Sequence, residues 1–325
     1  MAAAALEGQP PTLDEVTPWL EPVSLAQLGQ LMAAAGWLRE QALGSEVEFC
    51  AIVNARSGRC SEDCAFCAQS ARHRTQAEVY PLMGEDEIVA RGRAAAKAGA
   101  SRFGIVTSGR DCPSGAELET ICGASARLRE EGLVSPCVSL GLLKLAQAER
   151  LAQAGVRRYH HNLEAGPSFF PSICMSHSFQ ARVDSVRAAR AAGLEVCVGG
   201  IVGLGESPRQ RAELAQAVAG LFPQSVPLNF LNPIPGTPLE AVPRLTPLQA
   251  LAAVAVFRLL NPRAHLRTCG GREQILGRLA PLMYLAGASA TMTGNYLTTE
   301  GRQPQDDRDD LAALGLTLRE FIEHA

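Results

Sequence analysis

No surplus of basic charge exists in this chain: 30 Lys and Arg face 33 Asp and Glu, a formal charge of −3. The arginines are scattered like solvated helix faces, so no basic face compensates phosphate charge, which argues against nucleic acid as a partner. The longest apolar stretches are interrupted by Gly, Gln or Arg well short of bilayer length, which argues against a membrane span. The opening MAAAALEGQPPTLDE lacks the basic-then-apolar order of a signal peptide and the Arg-rich, acid-poor composition of a transit peptide. A second C-x2-C and an H-x3-H are missing too, so a structural zinc site has no second knuckle. No GxGxxG turn follows the first strand, which argues against an open dinucleotide-binding sheet.

What remains is ordinary globular composition, 47% apolar and 19% charged, over 325 residues. That length holds two average domains or one large α/β barrel. The ten cysteines, without a secretory leader, suit a reducing cytosol and make metal ligation a better explanation than disulfides. A cytoplasmic protein is expected.

The chain is organised around Cys60-Ser61-Glu62-Asp63-Cys64-Ala65-Phe66-Cys67, three cysteines at C-x3-C-x2-C spacing. Three thiolates on a cubane [4Fe–4S] cluster leave one iron free for another ligand. In enzymes that make radicals from S-adenosylmethionine (SAM), that iron chelates the amino and carboxylate groups of SAM. Phe66 is the aromatic such a loop usually carries. Three inert thiols among Ser, Glu, Asp and Gln are the blander alternative, although buried free cysteines prefer apolar surroundings.

Residues 1–20 show no stable periodicity and read as disordered or loosely docked, followed by a helix over 24–43. The first strand runs from Val47 to Val53. Later strands are expected near 102–107, 134–139, 157–162, 194–200, 225–230, 264–268 and 288–293. Helices are expected near 85–98, 114–131, 144–154, 178–192, 207–220, 246–260 and 273–285, with further helix after 305. Eight strand–helix units in one chain predict a closed (β/α)8 TIM barrel with an N-terminal helical extension. A doubly wound open sheet is the alternative.

The active site of such a barrel forms at the C-terminal mouth of its strands. Cys137 on strand three, Asn162 and Glu164 at the end of strand four, Cys197 on strand five, Asn229 on strand six, and Arg267 and Cys269 on strand seven fall there. His265, Arg267 and Cys269 share a face by strand parity, as do Ser135, Cys137 and Ser139, and Ser225, Pro227 and Asn229. Singly, Cys137 and Cys197 are equally well small core residues and Arg267 an ion-paired one. Gly199, Gly200, Ile201 and Val202 lie in a glycine-dense stretch that either admits a ligand close to the backbone or makes a tight turn. Arg182 either clamps a carboxylate or faces solvent. His73, His160 and His177 have no committing spacing, and Cys50, Cys112 and Cys122 read as ordinary thiols.

The segment Asn54 to Ser70 resembles the biotin synthase family of the radical SAM superfamily. So do His161-Asn162-Leu163-Glu164, Val196 to Glu206, and Gly271-Arg272-Glu273-Gln274, all in the same order across residues 45–315. The resemblance implies a 1–44 extension, a radical SAM barrel over 45–305 and a helical tail over 306–325 packing on it. It implies a homodimer that inserts sulfur into dethiobiotin, with SAM on a cluster held by Cys60, Cys64 and Cys67 beside Phe66. Asn162 and Glu164 are then expected to hold the SAM ribose and the substrate, Asn229 the substrate, and Arg182 the SAM carboxylate. Electrons from a flavodoxin or ferredoxin, and help from iron–sulfur assembly machinery, are implied likewise.

The best-known form of the family holds an auxiliary [2Fe–2S] cluster on three cysteines and an arginine. Cys137, Cys197 and Arg267 match that set, but Gly104 stands where strand two should supply a cysteine. Cys174 and Cys269 are additional, so a four-iron cluster on Cys137, Cys174, Cys197 and Cys269 is expected, with Arg267 as an outer cation or further ligand. The alternatives are another radical SAM barrel enzyme, such as a hydrogenase-cofactor maturase or methylornithine-type mutase, and an iron–sulfur carrier.

Overall fold

The computed structural model describes residues 1–21 and 24–321. Runs rich in Val, Ile and Phe become strands where their side chains alternate between two buried surfaces. These are β1 (Glu46–Arg56), β2 (Arg102–Thr107), β3 (Ser135–Ser139), β4 (Arg158–His160), β5 (Glu195–Cys197), β6 (Gly200–Val202), β7 (Ser225–Phe230), β8 (His265–Thr268), β9 (Ala290–Met292) and β10 (Thr317–Leu318). Neighbours pair in parallel, and β1 pairs with β9 as well as β2, so the sheet closes on itself. Both β5 and β6 bond to β7 and form one interrupted stave. The barrel thus has eight staves, the (β/α)8 architecture expected from the strand–helix alternation.

The helices are α1 (Ala2–Leu6), α2 (Leu13–Val16), α3 (Leu25–Leu43), α4 (Glu85–Lys97), α5 (Ala116–Glu130), α6 (Leu145–Gln153), α7 (Phe179–Ala191), α8 (Pro208–Ala219), α9 (Pro247–Leu260), α10 (Arg272–Leu276), α11 (Leu282–Leu285) and α12 (Pro304–Ala313). Ser207 and Thr246 start α8 and α9 with capping boxes to Gln210 and Gln249, each followed by proline at the first turn. The single helix expected over 273–285 breaks in two. Gly277 takes φ +51° after α10, and Pro281 precedes α11.

Along β1, Val47, Phe49, Val53 and Ala55 turn outward and are buried against helices. Glu48, Cys50 and Ile52 alternate with them and turn into the lumen. At the N-terminal end of the barrel, Glu48 meets Arg102 at 3.1 Å and Arg158 at 3.4 Å, while Glu195 meets Arg158 at 2.8 Å. This charged network floors the lumen, leaving the space above it for chemistry.

The N-terminal segment is docked rather than disordered. Val16 and Leu20 are fully buried, and α1 and the turn Thr17–Leu20 pack against α3 and α9. The physical reason lies in α9, where every residue from Ala250 to Leu260 is buried. A helix apolar all round needs cover on its outer face, and α3 supplies it. The tail also departs from expectation. After α12 the chain forms β10, which extends the sheet beside Glu46 and Val47 of β1; the end of the expected 306–325 helical tail, residues 322–325, lies outside the described residues. Among the described residues no helix is long and apolar enough to cross a membrane.

Arg258 closes the C-terminal end of α9. Its guanidinium is buried and donates to the carbonyl oxygens of Gly287, Asn261, Pro262 and Ala264 at 2.8–3.1 Å and to Ser289 Oγ at 3.1 Å. Burial, with Arg39 nearby, pushes it down to about 9, yet the carbonyls and the helix dipole favour the cation. Arg258→Met leaves those buried acceptors unpaired and is expected to cost about 3–5 kcal/mol. The midpoint of guanidinium unfolding measures it; an unchanged midpoint refutes the role.

Candidate active site

The cysteine loop leaves the C-terminal end of β1 and is pinned back onto it. Gln69 Oε1 accepts from Ser57 Oγ and Gly58 N, both at 3.1 Å. Cys60 N donates to the Gln69 carbonyl at 3.0 Å and Ala71 N to the Cys60 carbonyl at 2.8 Å, while Cys67 N closes a turn onto the Cys64 carbonyl at 2.9 Å. Gly58 and Arg59 take φ +78° and +52°, the left-handed conformations that let the chain double back. All three thiols line a cavity of about 160 Å³ at the barrel mouth, with Asn162, Glu164, His177 and Arg182. Burial pushes the Cys67 thiol up to about 11.

Beyond β4 the chain runs on through Asn162 to Glu164, which bridges to Gly200. Glu164 has φ +68°, a conformation that costs a residue with a side chain about 1 kcal/mol or more. The Ile201 amide holds it by donating to the Glu164 carbonyl at 2.9 Å. Its carboxylate meets Asn162 Nδ2 at 3.3 Å and Arg182 at 3.7 Å. Arg182 itself is buried rather than solvent-facing. It donates from Nε to His177 Nε2 at 2.9 Å and from Nη1 to the Asn162 carbonyl at 2.9 Å, and its Nη2 lies 3.9 Å from Cys64 Sγ.

A second cavity, about 310 Å³, fills the lumen below. Phe66, Val106, Ser139, His160, Asn162 and Glu164 line both spaces, so the two adjoin. Cys137, Cys197, Arg267, Cys269 and Asn229 all face the lumen. Arg267 Nη2 lies 3.0 Å from Cys197 Sγ and His160 Nδ1 lies 3.3 Å from it. Burial raises the Cys197 thiol, but Arg267 and His160 outweigh that and hold it at about 6. Without so close a cation, Cys137 is pushed by burial to about 12; Cys269, also buried, is pushed to about 11. Asn229 is fixed by donating to the Gly200 carbonyl at 3.3 Å and accepting from Gly270 N at 3.1 Å.

Two expectations need correction. Cys174 is not in the lumen: its Sγ lies 3.8 Å from Cys64 Sγ and 3.3 Å from the Asp63 carboxylate, beside the cysteine loop. Hydrogen bonding from Cys64, with His177 and Ser176, draws its thiol down. Cys50, read as an ordinary thiol, instead faces the lumen with the others; its parity with Glu48 on β1 carried that signal.

The glycine-dense stretch is explained by backbone contact. A Cβ on Gly199 would stand 1.8 Å from the Pro227 carbonyl oxygen, and one on Gly200 2.7 Å from that of Glu164. Of its neighbours, Ile201 lines the lumen and Val202 is buried in the core. Gly199→Ala is expected to lower stability by about 1–3 kcal/mol, read from chemical unfolding. Wild-type stability would mean that β5 and β7 part freely.

The donor set suits iron–sulfur ligation: one loop presents three thiols, and three leave one iron of a cubane open. Asn162 Oδ1, His161 Nε2 and Arg267 Nε are buried without a partner among the described residues, and such atoms call for one. Tyr296, Leu297 and Thr298, after β9, also line the lumen and had no sequence signal.

Comparison with known proteins gives a consistent family. Residues 55–218 match the radical SAM superfamily and residues 227–317 the Biotin and Thiamin Synthesis associated domain. The chain is 52% identical over 290 residues to biotin synthase of Geobacter sulfurreducens, covering 89% of this chain and 88% of that one. It is 51% identical over 291 residues to biotin synthase of Pelobacter propionicus, covering 90% and 89%. Among solved structures, methylornithine synthase superimposes with a TM-score of 0.83 at 20% identity, covering 98% of this chain and 97% of that one. A maturase of the [FeFe]-hydrogenase gives 0.83 at 14% identity, covering 99% and 75%. At such identities these two likenesses concern the fold.

Proposed function

The chain belongs to the biotin synthase family, and from that we propose how its own residues divide the work. It is a radical SAM sulfurtransferase that converts dethiobiotin to biotin. When bound, a [4Fe–4S] cluster with SAM supplies a 5′-deoxyadenosyl radical, and an auxiliary iron–sulfur cluster supplies the sulfur. Cys60, Cys64 and Cys67 are the ligands we assign to the first cluster. We assign the second to the lumen, where Cys137, Cys197 and Cys269 surround Arg267.

One observation carries this reading: the thiol loop and the thiol-lined lumen are adjoining spaces separated by a shared wall of Phe66, Asn162 and Glu164. Substrate lying along that wall has the radical source on one side and sulfur on the other, which is the proximity the reaction needs. Asn162, with its buried and unpartnered Oδ1, and the Glu164 carboxylate are suited to accept from ribose hydroxyls and from the ureido N–H groups of the substrate. Arg182 turns Nη2 toward Cys64, which suits it to hold the SAM carboxylate beside the open iron. Asn229, locked between Gly200 and Gly270, offers a rigid amide to the substrate. Arg267 provides a buried cation that offsets the charge of the surrounding thiolates.

A reduced flavodoxin or ferredoxin is the electron donor we propose, with assembly proteins restoring the sulfur lost, in a homodimer in the cytosol where ten free thiols persist. The test is an anaerobic assay of reconstituted protein with SAM, reductant and dethiobiotin, read by mass spectrometry. Biotin together with 5′-deoxyadenosine is expected. Deoxyadenosine alone moves the reading to another substrate, and neither product from iron-replete protein overturns it.

A further inference from the structure

Four buried thiols, not three, line the lumen that holds Arg267. Cys50, Cys137, Cys197 and Cys269 all line the same lumen, and they come from β1, β3, β5 and the end of β8. Their burial is not that of ordinary apolar packing. Cys112 and Cys122 lie in the main hydrophobic core, and Cys64 and Cys174 in the smaller apolar cluster under the cysteine loop. The four lumen thiols belong to neither.

We infer that Cys50, rather than Cys174, is the fourth thiol ligand of the auxiliary cluster, restoring on β1 the cysteine that Gly104 denies to β2. This rests on the biotin synthase reading above. The lateral shift has a steric reason. Gly104 pairs with Ile52 across β1 and β2, and a Cβ on Gly104 would stand 3.0 Å from Ile52 Cγ2. Ile52 therefore takes up room beside β2 from which a cysteine there would reach inward. Two residues earlier on the same face of β1, Cys50 projects into the lumen instead. Cys50 is 3% exposed, and among the described residues its thiol has no stronger hydrogen bond than that to the Ala51 carbonyl at 3.8 Å, so its sulfur is uncommitted. Cys174 is excluded by its contacts with Cys64 and Asp63 on the other side of the shared wall.

The experiment starts from a chain carrying Cys60→Ser, Cys64→Ser and Cys67→Ser, in which bound iron reports the auxiliary site alone. After anaerobic reconstitution, about four irons per chain are expected, counted chemically and typed by Mössbauer spectroscopy. Adding Cys50→Ser is expected to lower the iron count or change the spectrum as adding Cys137→Ser does. Adding Cys174→Ser is expected to change neither. Iron, sulfide and spectrum all unaltered by Cys50→Ser overturn the assignment. A parent that binds no iron overturns the auxiliary-cluster reading itself, a distinct result.

Folding is checked in the otherwise native chain, where Cys50→Ser is expected to keep the SAM-induced change in the electron paramagnetic resonance of the reduced loop cluster. Loss of that signal together with lumen iron would assign Cys50 to packing and overturn the inference.

Discussion

Cys67→Ser is expected to lower 5′-deoxyadenosine formation by at least about 10²-fold, since removing even a supporting group around a metal costs up to that much. Cys64→Ser is expected to retain more activity, and the reason is geometric. Cys174 Sγ lies 3.8 Å from Cys64 Sγ, and with Cys64 replaced, hydrogen bonds from His177 and Ser176 still favour its thiolate. A substitute thiol therefore stands beside one of the three loop cysteines. The Cys67 thiol is instead pushed up by burial to about 11, with Cys60 and Glu164 as the charged groups near it, and no second thiol contacts it among the described residues. Anaerobic iron counts and SAM turnover on the two single variants, and on Cys64→Ser with Cys174→Ser, measure the contrast. Equal loss in all three would show that Cys174 cannot serve.

Much of this architecture was legible because barrel strands impose strict parity. Spacing alone gives His265, Arg267 and Cys269 one face, and Arg267 and Cys269 line the lumen with Cys197, which Arg267 contacts. The loop cysteines were legible because their spacing is local. The place of Cys174 is not legible, for the opposite reason. It follows a short turn, Phe170–Ser172, after a loop, where no period exists to aim a side chain, and only tertiary contact with Cys64 decides its place. Cys50 was legible in principle, since Glu48, Cys50 and Ile52 alternate with Phe49, Ala51 and Val53. A buried charge at Glu48 marks the inward face, because such a carboxylate must find cations and the floor of the barrel holds Arg102 and Arg158. The glycines at 199 and 200 are ambiguous in the sequence because a strand-to-strand approach and a ligand approach demand the same missing Cβ.

Cys197→Ser is expected to collapse the ratio of biotin to 5′-deoxyadenosine by at least about 10²-fold, a split that separates sulfur delivery from radical generation. Cys197 is the lumen thiol best prepared to bind a metal. Arg267 at 3.0 Å and His160 at 3.3 Å hold it at about 6, whereas Cys137 and Cys269 are pushed up to about 12 and 11. The thiolate is the ligating form, so at neutral pH Cys197 needs no proton removed and the other two do. Serine keeps the volume and removes the soft donor, leaving Arg267 facing a hydroxyl with its Nε still unpartnered. Cys112→Ser is the matched comparison, since Cys112 is also buried but packs in the apolar core away from the lumen. It is expected to cost stability and leave the product ratio alone. Both products are quantified by mass spectrometry in single-turnover reactions, where repair of the auxiliary site plays no part. A Cys197→Ser protein that makes both products in the wild-type ratio would remove this thiol from sulfur delivery and shift that role to Cys50, Cys137 and Cys269.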